Sequence, residues 1–197
     1  FHERSIHADV AMALCREAQQ ILRPDLRIMV MSATLDMPEL SAMLNASVVI
    51  SEGRQYPVEI SYSGESDMRL LPELAARVVK SALQKHEGDI LVFLPGQGEI
   101  RKCEEFLRNS TNGVMIHPLY GQLPPNKQFA AIMPNREGKR KIVLATSIAE
   151  TSLTIEGVKV VVDSGFGRTS RFDTNSGLSR LETVQVSKDS ADQRAGR

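Results

Sequence analysis

The stretch "DILVFLPGQGEI", residues 89–100, decides the fold. Ile90 to Leu94 form a continuous apolar run, too short for a helix and without polar alternation, which fits a strand buried on both faces. Pro95 and Gly96 punctuate it. Ile100, Cys103 and Leu107 then recur at helical spacing, so residues 97–108 read as an amphipathic helix. Strand, glycine turn and helix in that order are the unit of a parallel sheet with helices on both faces.

The alternation continues on either side. Downstream, "GVMIHPL" (113–119), "KIVLAT" (141–146) and "VKVVVD" (158–163) read as strands, and residues 124–133 as a short helix opened by Pro124-Pro125. Upstream, Leu71, Leu74, Val78 and Ala82 place a helix over 68–85, preceded by a strand at "VEISY" (58–62). Further upstream lie a helix over 5–22, a buried strand at "RIMVM" (27–31), a helix at "MPELSAML" (37–44) and a strand at "SVVIS" (47–51). The polar break "EGRQYP" (52–57) divides the chain, and we place a domain boundary there, between 1–53 and 54–197. One stretch departs from the pattern: "RTSRFDTNSGLSRLETVQV" (168–186) has two half-polar arms around Asn175-Ser176-Gly177, the signature of an antiparallel hairpin inserted into the α/β core.

Composition narrows the function. Lys plus Arg equals Asp plus Glu at 24 each, so any surface for nucleic acid has to be local. The two cysteines, Cys15 and Cys103, lack metal-ligand spacing and read as reduced thiols of a cytoplasmic protein; no metal site is expected among these residues. No apolar run approaches the roughly 18 residues of a membrane span, and no signal peptide opens the chain. It starts on Phe1, as a fragment would.

The polar clusters follow strands, where open α/β sheets bind ligands. "SATLD" (32–36) follows 27–31, "PGQGEI" (95–100) follows 89–94, and "SIAETSLTI" (147–155) follows 141–146. Each has two readings. Ser32 or Asp36 fits a cap for the helix at 37, Gly96 and Gly98 fit a tight turn, and Thr146, Ser147, Thr151 and Ser152 fit caps and turn hydrogen bonds. Alternatively, their hydroxyls and backbone N–H groups hold phosphate oxygens. In "SADQRAGR" (190–197), Ser190 and Gln193 have capping-box spacing. A helix from 191 puts Gln193 and Arg197 four apart on one face, an amide and a guanidinium suited to a terminal phosphate.

"FHERS" (1–5), "SATLD", "LVFLPGQGEI" (91–100), "ATSIAETSLTIEGV" (145–158) and "QRAGR" (193–197) occur in the order seen in DEAH-type superfamily 2 helicases, and the chain resembles the bacterial HrpB subfamily of that family most. The resemblance implies tandem RecA-like P-loop NTPase domains, the first only partial here, that close on ATP and Mg²⁺ and grip one nucleic-acid strand. It implies an ATP-dependent helicase, with RNA favoured over DNA and translocation 3′ to 5′. His2 would match the end of the D-E-x-H motif and serve catalysis with Gln193 and Arg197. Ser32 and Thr34 would couple nucleotide state to domain movement. Ile132 and Glu156, with Gln193 and Arg197, would face the nucleotide. Gly96, Gln97, Thr146, Ser147 and Thr151 would face nucleic acid, and Glu150 lies in the same segment. Arg168, Arg171 and Arg180 on the hairpin would touch phosphates, the alternative for each being a solvated surface charge. Ser147 stands where the family often has Asn, and Ile132 where some relatives stack a Phe on the base, which implies little preference among bases. The chain contains no G-x-x-x-x-G-K-[ST] loop and stops inside the family's last motif, so the fragment alone is expected not to hydrolyse ATP. The alternative is a non-catalytic RecA-like module that binds single-stranded nucleic acid or a protein partner.

Overall fold

The computed structural model describes residues 6–31, 37–50, 56–64, 67–108, 111, 113–135, 138–150 and 153–197. Contacts divide the chain into two compact units, Phe1–Tyr56 and Pro57–Arg197. The first contains helices α1 (Ile6–Ile21) and α2 (Met37–Leu44). The apolar stripe that marks α1 as amphipathic is present but uncovered, with Ile6, Val10, Leu14 and Ile21 all exposed. The strands expected at 27–31 and 47–51 are not formed among the described residues. Residues 26–31 and 46–50 carry no strand assignment and have no ladder partner. A strand exists only through the neighbour that takes up its N–H and C=O groups, and without one Met29 and Val49 stand 82% and 90% exposed. The strand expected at 58–62 is likewise unpaired, with Val58, Ile60 and Tyr62 exposed.

The second unit holds helix α3 (Leu71–Lys85), strand β1 (Asp89–Phe93), α4 (Gln97–Arg108), β2 (Met115–Leu119), α5 (Pro125–Ile132), β3 (Lys141–Ala145), β4 (Val158–Asp163), β5 (Phe166–Asp173), β6 (Leu178–Gln185) and α6 (Lys188–Ala195). The order is β2-β3-β1-β4, and every pairing is parallel. In the central strands, alternate residues face opposite layers. Ile90, Val92, Ile142 and Leu144 pack under α3 and α4, with Val79, Ile100, Cys103 and Leu107. Leu91, Phe93, Val143 and Ala145 pack on the other face with Ala131 of α5 and Leu119. This two-sided burial is why β1 and β3 read as unbroken apolar runs. Burial in the first layer pushes the Cys103 thiol up to about 12, so it is an inert core residue.

Two consecutive cations at the start of β3 close the helices on either side. The Arg140 guanidinium donates to the carbonyls of Gly88 (2.8 Å) and Leu83 (3.0 Å), the latter in the last turn of α3. The Lys141 ammonium donates to carbonyls at the end of α5. Helix C-termini carry partial negative charge and unpaired carbonyls, so a cation there serves both needs.

β5 and β6 pair antiparallel, in register from Phe166↔Gln185 to Asp173↔Leu178, and form a separate two-stranded sheet. Gly177 takes φ +66° to close the turn. The Ser176 hydroxyl and the Asn175 N–H donate to Asp173, and the hydroxyl bond above all holds that carboxyl below its ordinary range.

The central sheet and the hairpin therefore differ in what burial contributes. Leu144→Ala, at a fully buried position, is expected to cost about 2–5 kcal/mol. Leu181→Ala, at a hairpin position 71% exposed, should stay within about 0.5 kcal/mol. Urea denaturation of the two variants checks the contrast.

Candidate nucleic-acid and nucleotide interface

All four parallel strands end on the same side of their sheet, and backbone hydrogen bonds tie their exits together. Leu94 N donates to Ala145 O (2.8 Å), Thr146 N to Leu119 O (3.1 Å), and Ser164 N to Phe93 O (3.1 Å). The turns carrying Gly96-Gln97, Tyr120, Thr146-Ser147 and Ser164 are thus neighbours. Gln97 opens α4, and its Nε2 donates to the Tyr120 hydroxyl at 2.7 Å. Ser147 is exposed and begins a 3₁₀ turn, Ser147–Ala149.

Gly96 is buried because something lies directly over it. A Cβ at this position would sit 2.7 Å from the Arg168 guanidinium carbon. Arg168 comes from β5, and its Nη2 lies 3.7 Å from Glu99 in the first turn of α4. The base of the hairpin is thereby set on the glycine turn after β1. Arg171 and Arg180 lie further along the hairpin, directly opposite each other in register. Like charges in that relation repel, and diagonal partners offset the repulsion: Arg171 with Glu182 at 3.6 Å, and Arg180 with Asp173 at 3.9 Å. Both are long contacts between largely solvated side chains and add little to stability.

The closing segment differs from its expected capping. The N-cap of α6 is Ser187, whose side chain accepts from Ser190 N at 3.2 Å. Ser190 instead donates its hydroxyl to Glu150. The helix starts three residues earlier than a Ser190 cap would set it, with Ser187 in extended backbone immediately before its first turn. Gln193 is half-buried on α6, while Arg197 lies past its end, exposed, with Nη1 donating to Leu153 O at 3.1 Å.

At the centre of this region lies an arginine to which the sequence assigns no role. Arg194 is only 2% exposed. Its Nε donates to Glu150 Oε2 at 2.9 Å, and its Nη1 to Asp163 Oδ1 at 2.8 Å and to Phe166 O at 3.3 Å. The guanidinium carbon lies 4.9 Å from the centroid of the Phe93 ring. A Cβ on Gly167 would meet Nη2 at 3.3 Å, so the glycine gives the arginine room. Five elements meet here: the ends of β1 and β4, the start of β5, the 147–150 turn, and α6. The available signal was helical register, since Ala191, Arg194 and Ala195 form the inward face of α6. Glu150, expected in a ligand-facing segment, spends both carboxylate oxygens on α6.

Ile132 and Glu156 lie elsewhere. Ile132 is the half-buried last residue of α5, and Glu156 is exposed in the turn before β4. Both are at the side of the sheet where strands begin. Lys141 donates to Ile132 O; burial lowers its pKa, and the charges of Asp89 and Glu156 oppose that shift. His2, Ser32, Thr34 and Thr151 lie outside the described residues. Among the described residues no cluster of acidic, His and Cys side chains is arranged for a metal, and no helix is long and apolar enough to cross a membrane.

Removing Arg194 would leave two carboxylates at the strand ends without their partner. Arg194→Met is expected to destabilise the second unit by about 3–5 kcal/mol. A loss under about 1 kcal/mol in chemical denaturation would mean that solvent already satisfies Glu150 and Asp163.

Residues 70–197 match the family described as helicase conserved C-terminal domain. Over its whole length the chain is 49% identical to ATP-dependent RNA helicase HrpB of Escherichia coli (strain K12), of which it covers 25%. It is 42% identical to ATP-dependent RNA helicase DEAH11, chloroplastic, of Arabidopsis thaliana, of which it covers 11%. The crystal structure of Escherichia coli DEAH/RHA helicase HrpB superposes on all of it with a TM-score of 0.89, the chain covering 25% of that protein. The chain therefore spans a quarter or less of these relatives. Its parallel α/β unit is RecA-like, and the chain belongs to the helicase conserved C-terminal domain family, as a DEAH-box helicase sequence of the HrpB type.

Proposed function

We propose that this chain works within an ATP-dependent RNA helicase that couples NTP hydrolysis to 3′-to-5′ movement along a single strand. Residues 54–197 act as the second RecA-like domain and residues 1–53 as the back part of the first, in the cytoplasm. The observation that carries the reading is the Arg194 node. It fastens the segment expected to touch nucleic acid (146–151) to the helix expected to touch phosphate (α6), and both to the base of the hairpin.

The exposed Arg197 guanidinium and the half-buried Gln193 amide fit an anionic phosphate. Among the described residues the Arg197 guanidinium makes one hydrogen bond, to Leu153 O, and a guanidinium has five N–H donors. Bound ATP supplies the phosphoryl group to be transferred, with Mg²⁺ offsetting its charge. On this chain, Gln193 and Arg197 orient the terminal phosphate and stabilise its charge, and His2, Ser32 and Thr34 relay nucleotide state to the other domain. Gln97, Thr146, Ser147 and Thr151 hold the strand's backbone, Gly96 lies beneath Arg168 and shapes the turn behind them, and Arg168, Arg171 and Arg180 present the hairpin to it. Backbone contacts of this kind position a strand without reading its bases.

The full-length protein should hydrolyse ATP with stimulation by RNA, and Arg197→Ala should lower kcat by about 10²–10³-fold, the scale of losing one charge-stabilising donor. The 197 residues alone should show no RNA-stimulated hydrolysis. Full activity in Arg197→Ala would refute the phosphate role. RNA binding without hydrolysis by the full-length protein would favour a non-catalytic binding module.

A further inference from the structure

Lys141 is a lysine 1% exposed, among the largest fully buried side chains of the molecule. Lysine is almost never fully buried without partners. Here the three donors of the ammonium group meet three successive carbonyls at the end of α5: Ala131 (3.1 Å), Ile132 (3.2 Å) and Met133 (2.8 Å). The backbone around it is fixed as well, since Lys141 N donates to Asp89 Oδ1 at 2.8 Å. Burial lowers the lysine's pKa, while the charges of Asp89 and Glu156 act the other way. A methionine would fill similar space without the cost of burying a charge, so the ammonium is best explained by what it holds.

We propose that Lys141 is a positioning residue for the base end of the nucleotide site, holding the last turn of α5 and with it Ile132. This rests on the reading of Ile132 and Glu156 as nucleotide-facing residues. Lys141 touches no substrate. It acts through the backbone of Ile132.

The test uses the full-length protein and measures KM for ATP and RNA-stimulated kcat, with thermal unfolding as the control for folding. Ile132→Ala sets the reference and should raise KM about fivefold. Lys141→Met should raise KM by a similar factor with kcat within about twofold, and Lys141→Arg, which keeps the charge, should raise it about twofold. In the Ile132→Ala background, Lys141→Met should add less than about twofold. A folded Lys141→Met protein with unchanged KM beside a raised KM in Ile132→Ala overturns the proposal, because a purely structural lysine would lower the melting temperature alone. If Lys141→Met does not fold, Lys141→Arg decides: an unchanged KM overturns the proposal. An unchanged KM in Ile132→Ala overturns the base-end reading and the proposal with it.

Discussion

The structure depends on a charge taken out of water. Arg194 is enclosed by Glu150, Asp163, the Phe166 carbonyl and the Phe93 ring. Burying an unpaired guanidinium would be prohibitive. Two carboxylates and a carbonyl make it tolerable only if all of them stand in one arrangement. That condition fixes α6 against β4, the 147–150 turn against α6, and the start of the hairpin against the sheet. Apolar packing alone would not specify this, since it constrains distance more than orientation. The glycine at 167 is part of the same constraint, because a side chain there would crowd the guanidinium.

The two ends of the parallel sheet are built on different principles. At the exit side, turns are joined by backbone hydrogen bonds and cross-element contacts such as Gln97 to Tyr120 and Arg168 over Gly96. Polar groups are concentrated there, held by a rigid scaffold. At the entry side, Arg140 and Lys141 point to opposite faces of β3, and each terminates a helix. Core strands and their flanking helices thus form a closed frame on which a few polar side chains are displayed.

Much of this frame was legible in the sequence, because it follows from periodicity. The apolar runs at 89–94 and 141–146 read as buried parallel strands, and Asn175-Ser176-Gly177 as a hairpin turn, and both are formed. Three things were not legible. The runs at 27–31, 47–51 and 58–62 have strand composition but no ladder among the described residues, and pairing is a tertiary property that a local pattern does not contain. Spacing offers Ser190 as the α6 cap, while the backbone selects Ser187 and leaves Ser190 to bond Glu150. Arg194 and Lys141 went unread because charged residues default to the surface, and only the fold shows that their partners converge, across 44 residues of chain for Arg194 and Glu150.

The central claim is that the Arg194 node links the nucleic-acid-facing segment to the phosphate-facing helix. Its most direct test is the affinity of the full-length protein for single-stranded RNA, with and without a nonhydrolysable ATP analogue, in wild type and in Glu150→Gln. Coupling between sites usually amounts to roughly 5–150-fold, and the wild type should fall in that range. In Glu150→Gln, which keeps the shape and removes one of the two charges that Arg194 faces, the ratio should fall below about twofold. A wild-type ratio retained in a folded Glu150→Gln protein would contradict the account.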